Sequence, residues 1–371
     1  MKRTRLGTLA CLIALSFSVQ SQTLEQAIAT TISTNPEIKS AYNDYMSYVE
    51  LNNVSTGNYL PSVDLDAGIG FEKINPATGD TTELTRKDAT LSLTQLLWDG
   101  SSTLNDIDRT AAEAESMRFQ VIADAQDKAL QVARVYLDAV KANEVLRLSE
   151  SNLATHKRIF RDIKKRVDSG IGSTADLSQV ETRMANAQSN LLAAQNNIFD
   201  THTQFKRIVG QPPMGLIFPR ADQNAIPLSL EDANKLAEQN HPVLKVAAAD
   251  VDAARFQYKQ SKGSNLPTFS IEAAQTWYDD AAGIEGNRDE LSAMLRMKYN
   301  LYNGGSDTAT QDRMAYQLNK SKDLRDSAHR SLAESLHLAW SALDLTLQQK
   351  EFLEDQVDSA SKTAIAYDKQ Y

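Results

Sequence analysis

The chain contains one long unit twice, so any fold it adopts must be built from two similar halves. Thr23-Leu24-Glu25-Gln26-Ala27 returns as Ser229-Leu230-Glu231-Asp232-Ala233. At the same offset of 206 residues, Asn35-Pro36-Glu37-Ile38-Lys39 returns as His241-Pro242-Val243-Leu244-Lys245. Leu60-Pro61 matches Leu266-Pro267 without a gap. A net two-residue deletion then brings Leu97-Trp98-Asp99-Gly100 onto Leu301-Tyr302-Asn303-Gly304, and Asp108-Arg109 onto Asp312-Arg313. Tyr371 aligns with Val167, so the second copy carries no counterpart of residues 168 to 209.

Lys2, Arg3 and Arg5 precede an apolar run from Leu9 to Val19, with small polar residues at Ser18 and Ser21. This is the layout of a secretory signal peptide cleaved after Ser21, and the run is shorter than the ~20 apolar residues of a spanning helix. The one cysteine, Cys11, lies inside this leader. The mature chain therefore has no thiol for a disulfide, a metal site or nucleophilic chemistry. Losing the three basic residues takes the formal net charge from −9 to −12, which argues against a nucleic-acid partner. The remaining sequence has no apolar run long enough for a membrane helix, so entry into a membrane would have to use strands.

Each half reads as helix, strand, loop, strand, very long helix. The expected organisation is a leader over 1–21, a first repeat over 22–209, a linker over 210–228 and a second repeat over 229–371, incomplete at its C-terminal end. The first repeat holds a β-hairpin over 62–98 and a helical hairpin over 101–209. The second holds a β-hairpin over 268–302 and a long helix over 306–371. The opening helix runs from Leu24 to about Asn58, bent by Pro36, and Leu60-Pro61 stops it.

In the first strand Val63, Leu65, Ala67, Ile69 and Phe71 alternate with Asp64, Asp66, Gly68 and Gly70, a period of two with one greasy face. A polar loop over 74–87 precedes the return strand, Ala89 to Trp98. Phe269, Ile271, Ala273 and Trp277 repeat the pattern, followed by a polar loop over 279–289 and a second return strand. Strands of roughly ten residues, with aromatic rings near their ends, suit a tilted membrane barrel.

Between Ser101 and Val167 there is neither proline nor glycine, so one helix of ~100 Å is expected at 1.5 Å per residue. Its partner carries Leu177, Val180, Met184, Ala187, Leu191, Ala194, Ile198, Thr201, Phe205 and Ile208, spaced 3 and 4 apart as in the seam of a coiled coil. The link from Asp168 to Asp176 has glycines to turn and Ser, Thr and Asp to cap. The fold class is thus mixed α and β: long antiparallel coiled-coil hairpins plus four strands. Four membrane strands alone would leave two edges of unpaired N–H and C=O groups in hydrocarbon. Because the smallest barrels have about eight strands, identical copies must share one.

The duplicated Leu-Glu-x-Ala openings, the Leu-Pro before each first strand, Trp98-Asp99-Gly100 and Tyr302-Asn303-Gly304 after each second strand, and the Gly170 hairpin tip together resemble the TolC family of outer-membrane channel proteins, over about residues 23 to 371. The resemblance implies a homotrimer with a 12-stranded barrel in outer-membrane lipid and a helical tunnel reaching into the Gram-negative periplasm. It also implies that the tips dock onto a periplasmic adaptor, a membrane fusion protein. The overall pattern is most similar to members serving type I secretion, where an inner-membrane ABC transporter exports a large protein; drug efflux is the alternative. Gly170 matches the family's tip glycine, which makes Val167, Gly170 and Ile171 the adaptor-contact residues. Asp176 matches an acid that holds the periplasmic entrance shut, and Tyr371 matches its tyrosine partner. Taken locally, Gly170 serves equally as a plain helix reversal and Asp176 as an N-cap. The family's acidic constriction and entrance arginine would fall after Tyr371. A chain ending there is expected to leave one inner arm per subunit unpaired and the tunnel leaky or unassembled.

No enzyme signature competes. His156, His202, His241, His329 and His337 never fall in HExxH or another ligand spacing, and neither GxSxG nor a P-loop occurs. Gly68-Ile69-Gly70 lies in a strand with no helix after it, and Asp64 and Asp66 share a strand face as lumen or interface residues. The expectation is a passive conduit with no cofactor and no metal, powered by another protein. A periplasmic coiled-coil scaffold or adhesin stalk with soluble hairpins is the alternative of another class.

Overall fold

A computed structural model describes residues 22–370; the leader and Tyr371 lie outside them. In chain order the elements are α1 (Leu24–Thr34), α2 (Pro36–Gly57), β1 (Ser62–Ile74), β2 (Thr82–Trp98), α3 (Ser102–Asp168), α4 (Thr174–Val209), α5 (Leu230–Asn240), α6 (Pro242–Lys262), β3 (Thr268–Ala281), β4 (Ile284–Lys298) and α7 (Ser306–Gln370). The duplicated sequence thus folds into duplicated elements.

The helix starts repeat as well. Thr23 accepts from the Gln26 amide while Gln26 accepts from the Thr23 amide, a reciprocal capping box, and Ser229 caps α5 through the Asp232 amide. Where the sequence suggests a single bent helix, the structure has two. Asn35 is extended at φ −63°, ψ 128°, and His241 repeats this at φ −65°, ψ 124°. A residue before proline is barred from the helical region, and the proline then restarts the helix at its first turn.

The sheet order is β1-β2-β3-β4, antiparallel throughout. Its strands contain 13, 17, 14 and 15 residues, longer than the ten expected. Polar cross-strand pairs extend the ladder past the apolar alternation: Lys73 lies opposite and ion-paired to Glu83, and Arg86 bridges Glu72 and Asp88. The expected loop over 74–87 therefore shrinks to residues 75–81. The second hairpin closes more tightly, between Ala281 and Ile284, with Asp280, Ala282 and Gly283 all at positive φ. β4 stops at Lys298, short of the 302 expected.

In space the chain divides into two compact units. Among the described residues, one comprises those up to Lys39 with Asp124–Gln223, and the other Ser40–Ala123 with those from Asn224 onward. The core of the first is Ala27, Val132, Val135, Tyr136, Ala139, Phe205 and Val209, with Leu24, Ile28, Ile208 and Leu216 packed against it. Along α4 each of the ten seam positions is buried or half-buried; of the rest between Leu177 and Ile208, only His202 is. α3 carries a matching seam: from Val132 through Ala139, Leu146, Leu153 and Phe160 to Val167 its covered residues also recur 3 and 4 apart.

In the second unit α7 packs along α6 and α5, and polar bonds tie the start of α3 to its neighbours. Asn52 donates to the Ile107 carbonyl at 2.8 Å and to Thr110 at 2.9 Å, and Ser116 donates to Asp250 at 2.6 Å. Asp106 accepts from Ser55, Arg109 and Gln260. Burial pushes its carboxyl up, but these donors outweigh that and hold it below the ordinary value.

Candidate functional site

Side chains directly opposite across strands share a face of the sheet. Val63 with Leu93, Leu65 with Leu91 and Ala67 with Ala89 continue across β3 and β4 as Ala273 with Ala293 and Ile271 with Leu295. Leu65, Ile69, Phe71, Leu291 and Leu295 on this face are each at least 70 % exposed. Fully burying one such side chain stabilises by about 1.5–3 kcal/mol, and a contiguous apolar sheet face open to water is an aggregation hazard. The opposite face carries Asp64, Asp66, Asp88, Glu72, Glu272 and Glu290 with Arg86, Arg288 and Arg296. One side is made for hydrocarbon and the other for water.

The apolar band has marked ends. At one end Trp277 and Phe71 stand near the Lys87–Asp279 ion pair (3.0 Å), which lies on the same face. At the other a bulge between Leu96 and Trp98 turns Trp98 to the Phe269 side, where the two rings sit 6.1 Å apart. Aromatic rings at two levels bracketing an apolar band are the mark of membrane–water interfaces. Both edges of the sheet, β1 and β4, are unpaired among the described residues. In lipid each unsatisfied backbone group on those edges would cost several kcal/mol.

The coiled-coil tip is a separate feature. The Ile171 amide donates to the Arg166 carbonyl (2.9 Å) and the Gly170 amide to the Val167 carbonyl (2.9 Å), with Gly170 left-handed at φ 75°. This is the Schellman end of a helix, and Gly170 is its left-handed residue. A Cβ on Gly172 would fall 2.9 Å from Val167 Cγ2. Of the three predicted tip residues, Val167 is thus half-covered at the seam's end, Gly170 shapes the turn, and Ile171 projects at 83 % exposure.

Asp176 does not cap α4. Ser173 does, accepting from the Ala175 amide at 3.1 Å, and Asp176 stands exposed in the first turn, where its charge suits the positive end of the helix. Tyr371 lies outside the described residues. No cluster of three or more His, Cys, Asp or Glu suited to a metal occurs among the described residues, and none of their helices is long and apolar enough to cross a membrane.

An apolar-banded, aromatic-bracketed sheet whose edges demand further strands, in a chain of long coiled-coil hairpins, defines an outer-membrane channel protein. The chain belongs to the outer membrane efflux protein family, whose model matches residues 27–211 and 234–371. It is 25% identical over 325 residues to the outer membrane efflux protein BepC of Brucella suis, covering 87% of this chain and 70% of that one. It is 23% identical over 392 residues to the outer membrane protein TolC of Escherichia coli, covering 98% and 77%. With the alkaline protease secretion protein AprF of Pseudomonas aeruginosa the identity is 22% over 256 residues, covering 66% and 52%. Among solved structures, CusC superposes with a TM-score of 0.76 at 13% identity, covering 91% of this chain and 80% of that one. The resemblance to the TolC family holds: the protein is an outer-membrane efflux channel, a passive conduit and not an enzyme.

Proposed function

We propose that three copies of the chain close a 12-stranded barrel in the outer membrane and form the exit duct of a tripartite type I secretion system. The observation that carries this reading is the four-stranded sheet, apolar on one face and open at both edges, which is untenable in lipid until identical neighbours complete it. In this reading the tip formed by Val167, Gly170 and Ile171 meets a periplasmic adaptor, and an inner-membrane ABC transporter supplies the energy. Ile171, an exposed apolar side chain on a fixed turn, is the natural contact. Asp176 and Tyr371 would latch the periplasmic entrance. Similarity to a protein named for alkaline protease secretion supports protein export as the cargo class. Multidrug efflux is the second reading, favoured by the wider match to BepC.

Outer-membrane fractionation followed by electrophoresis tests the assembly, with SDS-resistant, heat-modifiable trimers expected; a detergent-independent soluble monomer would refute it. Deleting the gene and comparing the secreted proteome with drug sensitivity separates the two cargo readings. Loss of a secreted protein with unchanged drug tolerance supports type I secretion.

A further inference from the structure

We propose that Gln22, once the leader is cut after Ser21, closes into a pyroglutamate ring and seats the mature N-terminus, uncharged, beside the core of the first unit. This rests on the leader ending at Ser21 and not on the barrel.

The seat is built around the main chain. Gln22 is only 7 % exposed although it precedes the first helix. Its backbone nitrogen donates to the Met214 carbonyl at 3.1 Å, and its carbonyl accepts from the Tyr136 hydroxyl at 2.8 Å. Tyr136 is itself fully buried. The side chain of Gln22 has no such partners: among the described residues neither its Oε1 nor its Nε2 is hydrogen-bonded, though both are covered. Amide groups buried in this way lose their hydration without compensation.

The other repeat shows the opposite arrangement. Leu228 is the counterpart of Gln22, one residue before the cap Ser229 as Gln22 is one before the cap Thr23, and it is 97 % exposed. Burial alone would put the leucine at 22 and the glutamine at 228. What separates the two positions is that removal of the leader makes residue 22 the first of the mature chain.

Cleavage there turns the donor to Met214 into an amine. As an ammonium it would carry its charge in a nearly closed site next to the positive end of α1. Glu25, the nearest acid along the chain, is already engaged by its own amide and by the Thr23 hydroxyl. Cyclisation answers both difficulties. The amine nitrogen attacks the side-chain carbonyl carbon Cδ; the N–Cδ bond forms, the Cδ–Nε2 bond breaks, and one amine proton departs with Nε2 as ammonia. Neither an oxidant nor a cofactor is required. The lactam keeps one N–H for Met214, carries no charge and no longer contains the unpartnered Nε2.

Mass spectrometry of the mature N-terminus tests this. The full-length chain, leader included, is expressed in a Gram-negative host, and isolated membranes are dissolved in denaturant with an amine-blocking reagent before digestion, so that a free N-terminus is labelled and cannot cyclise later. The N-terminal peptide should begin at residue 22, lack the label and weigh one ammonia less than its glutamine form. The Q22A variant should carry the label in the same procedure, which shows that the reagent reaches this end of the chain. A labelled peptide beginning at Gln22 would overturn the ring while leaving the cleavage site standing. A peptide beginning elsewhere would overturn the cleavage site and the ring together. Pyroglutamyl aminopeptidase tests the seat, since it should release the residue at least about tenfold more slowly from the folded protein than from the unfolded one. Equal rates would mean that the ring lies open to solvent and would overturn the seat.

Discussion

The phenolic oxygen of Tyr136 lies 2.7 Å from the carbonyl oxygen of Ile217 and 3.0 Å from the amide nitrogen of that same residue. One side chain thereby answers both polar groups of a single residue in the stretch after α4. The Gln22 carbonyl, 2.8 Å away, competes for the one hydroxyl proton. The ring itself is fully buried beside Phe205.

Tyr136→Phe keeps the ring and removes this anchor, so a loss of about 1–2 kcal/mol is expected, read as a lower denaturation midpoint by circular dichroism. Tyr136→Ala also opens a cavity and should cost about 3–5 kcal/mol. If the phenylalanine variant melts with wild type, the hydroxyl contributes nothing.

Acid should loosen the first unit through Glu37. A hydrogen bond from Lys128, and then its charge, hold the Glu37 carboxyl below the ordinary value. A folded value depressed in this way gives stability that is complete above the unfolded glutamate pKa of about 4.3 and is lost as pH falls through the folded value. Wild type should therefore lose more melting temperature than Glu37→Gln between pH 5 and pH 3. Parallel pH profiles would contradict the pairing. The effect is small because Glu37 is largely exposed even though Lys128 is buried.

At the tip, two glycines should fail for different reasons. Gly170→Ala meets open space but a left-handed backbone, costing about 1 kcal/mol. Gly172→Ala drives a methyl into Val167, including its backbone nitrogen at 2.9 Å, and should misplace the turn. Ile171→Asp should leave the melting temperature unchanged while abolishing cross-linking to an adaptor. Retained cross-linking would remove Ile171 from the contact.

The two faces of the sheet should respond oppositely to charge. Leu65→Arg, on the apolar face, is expected to destabilise the membrane-inserted form by about 2–4 kcal/mol at mid-depth. Ser92→Arg, on the polar face, should cost less than about 1 kcal/mol. Detergent-to-lipid refolding titrations measure both, and equal penalties would mean that the faces are assigned wrongly.

Much of this is visible in the sequence, and the parts that are not have definite causes. Alternation at Val63 to Phe71 gives β1 because one face is uniformly apolar. The extension of β1 past Phe71 and of β2 back to Thr82 is hidden because charged pairs such as Lys73 and Glu83 hold it, and charge reads as loop. The α4 seam shows plainly in its apolar spacing. The α3 seam does not, since Ser149 and His156 occupy two of its positions and interrupt the pattern. Asn35 announces a break only through the proline after it, and Ser173 rather than Asp176 caps α4 because both residue types are good caps three positions apart. The seat of Gln22 carries no local signal; its repeat counterpart Leu228 stands in the open.

The unpaired residue at Leu97 acts as a half-step in the chain's parity. Drawn into a regular ladder, Leu97 itself would stand opposite Phe269 and Trp98 would fall on the polar side; bulged out, it returns the ring to the apolar side. Losing that one residue would close the bulge and leave the tryptophan opposite Phe269. A gap placed there therefore keeps the ring on its side, whereas a gap between Thr90 and Leu96 would turn it over.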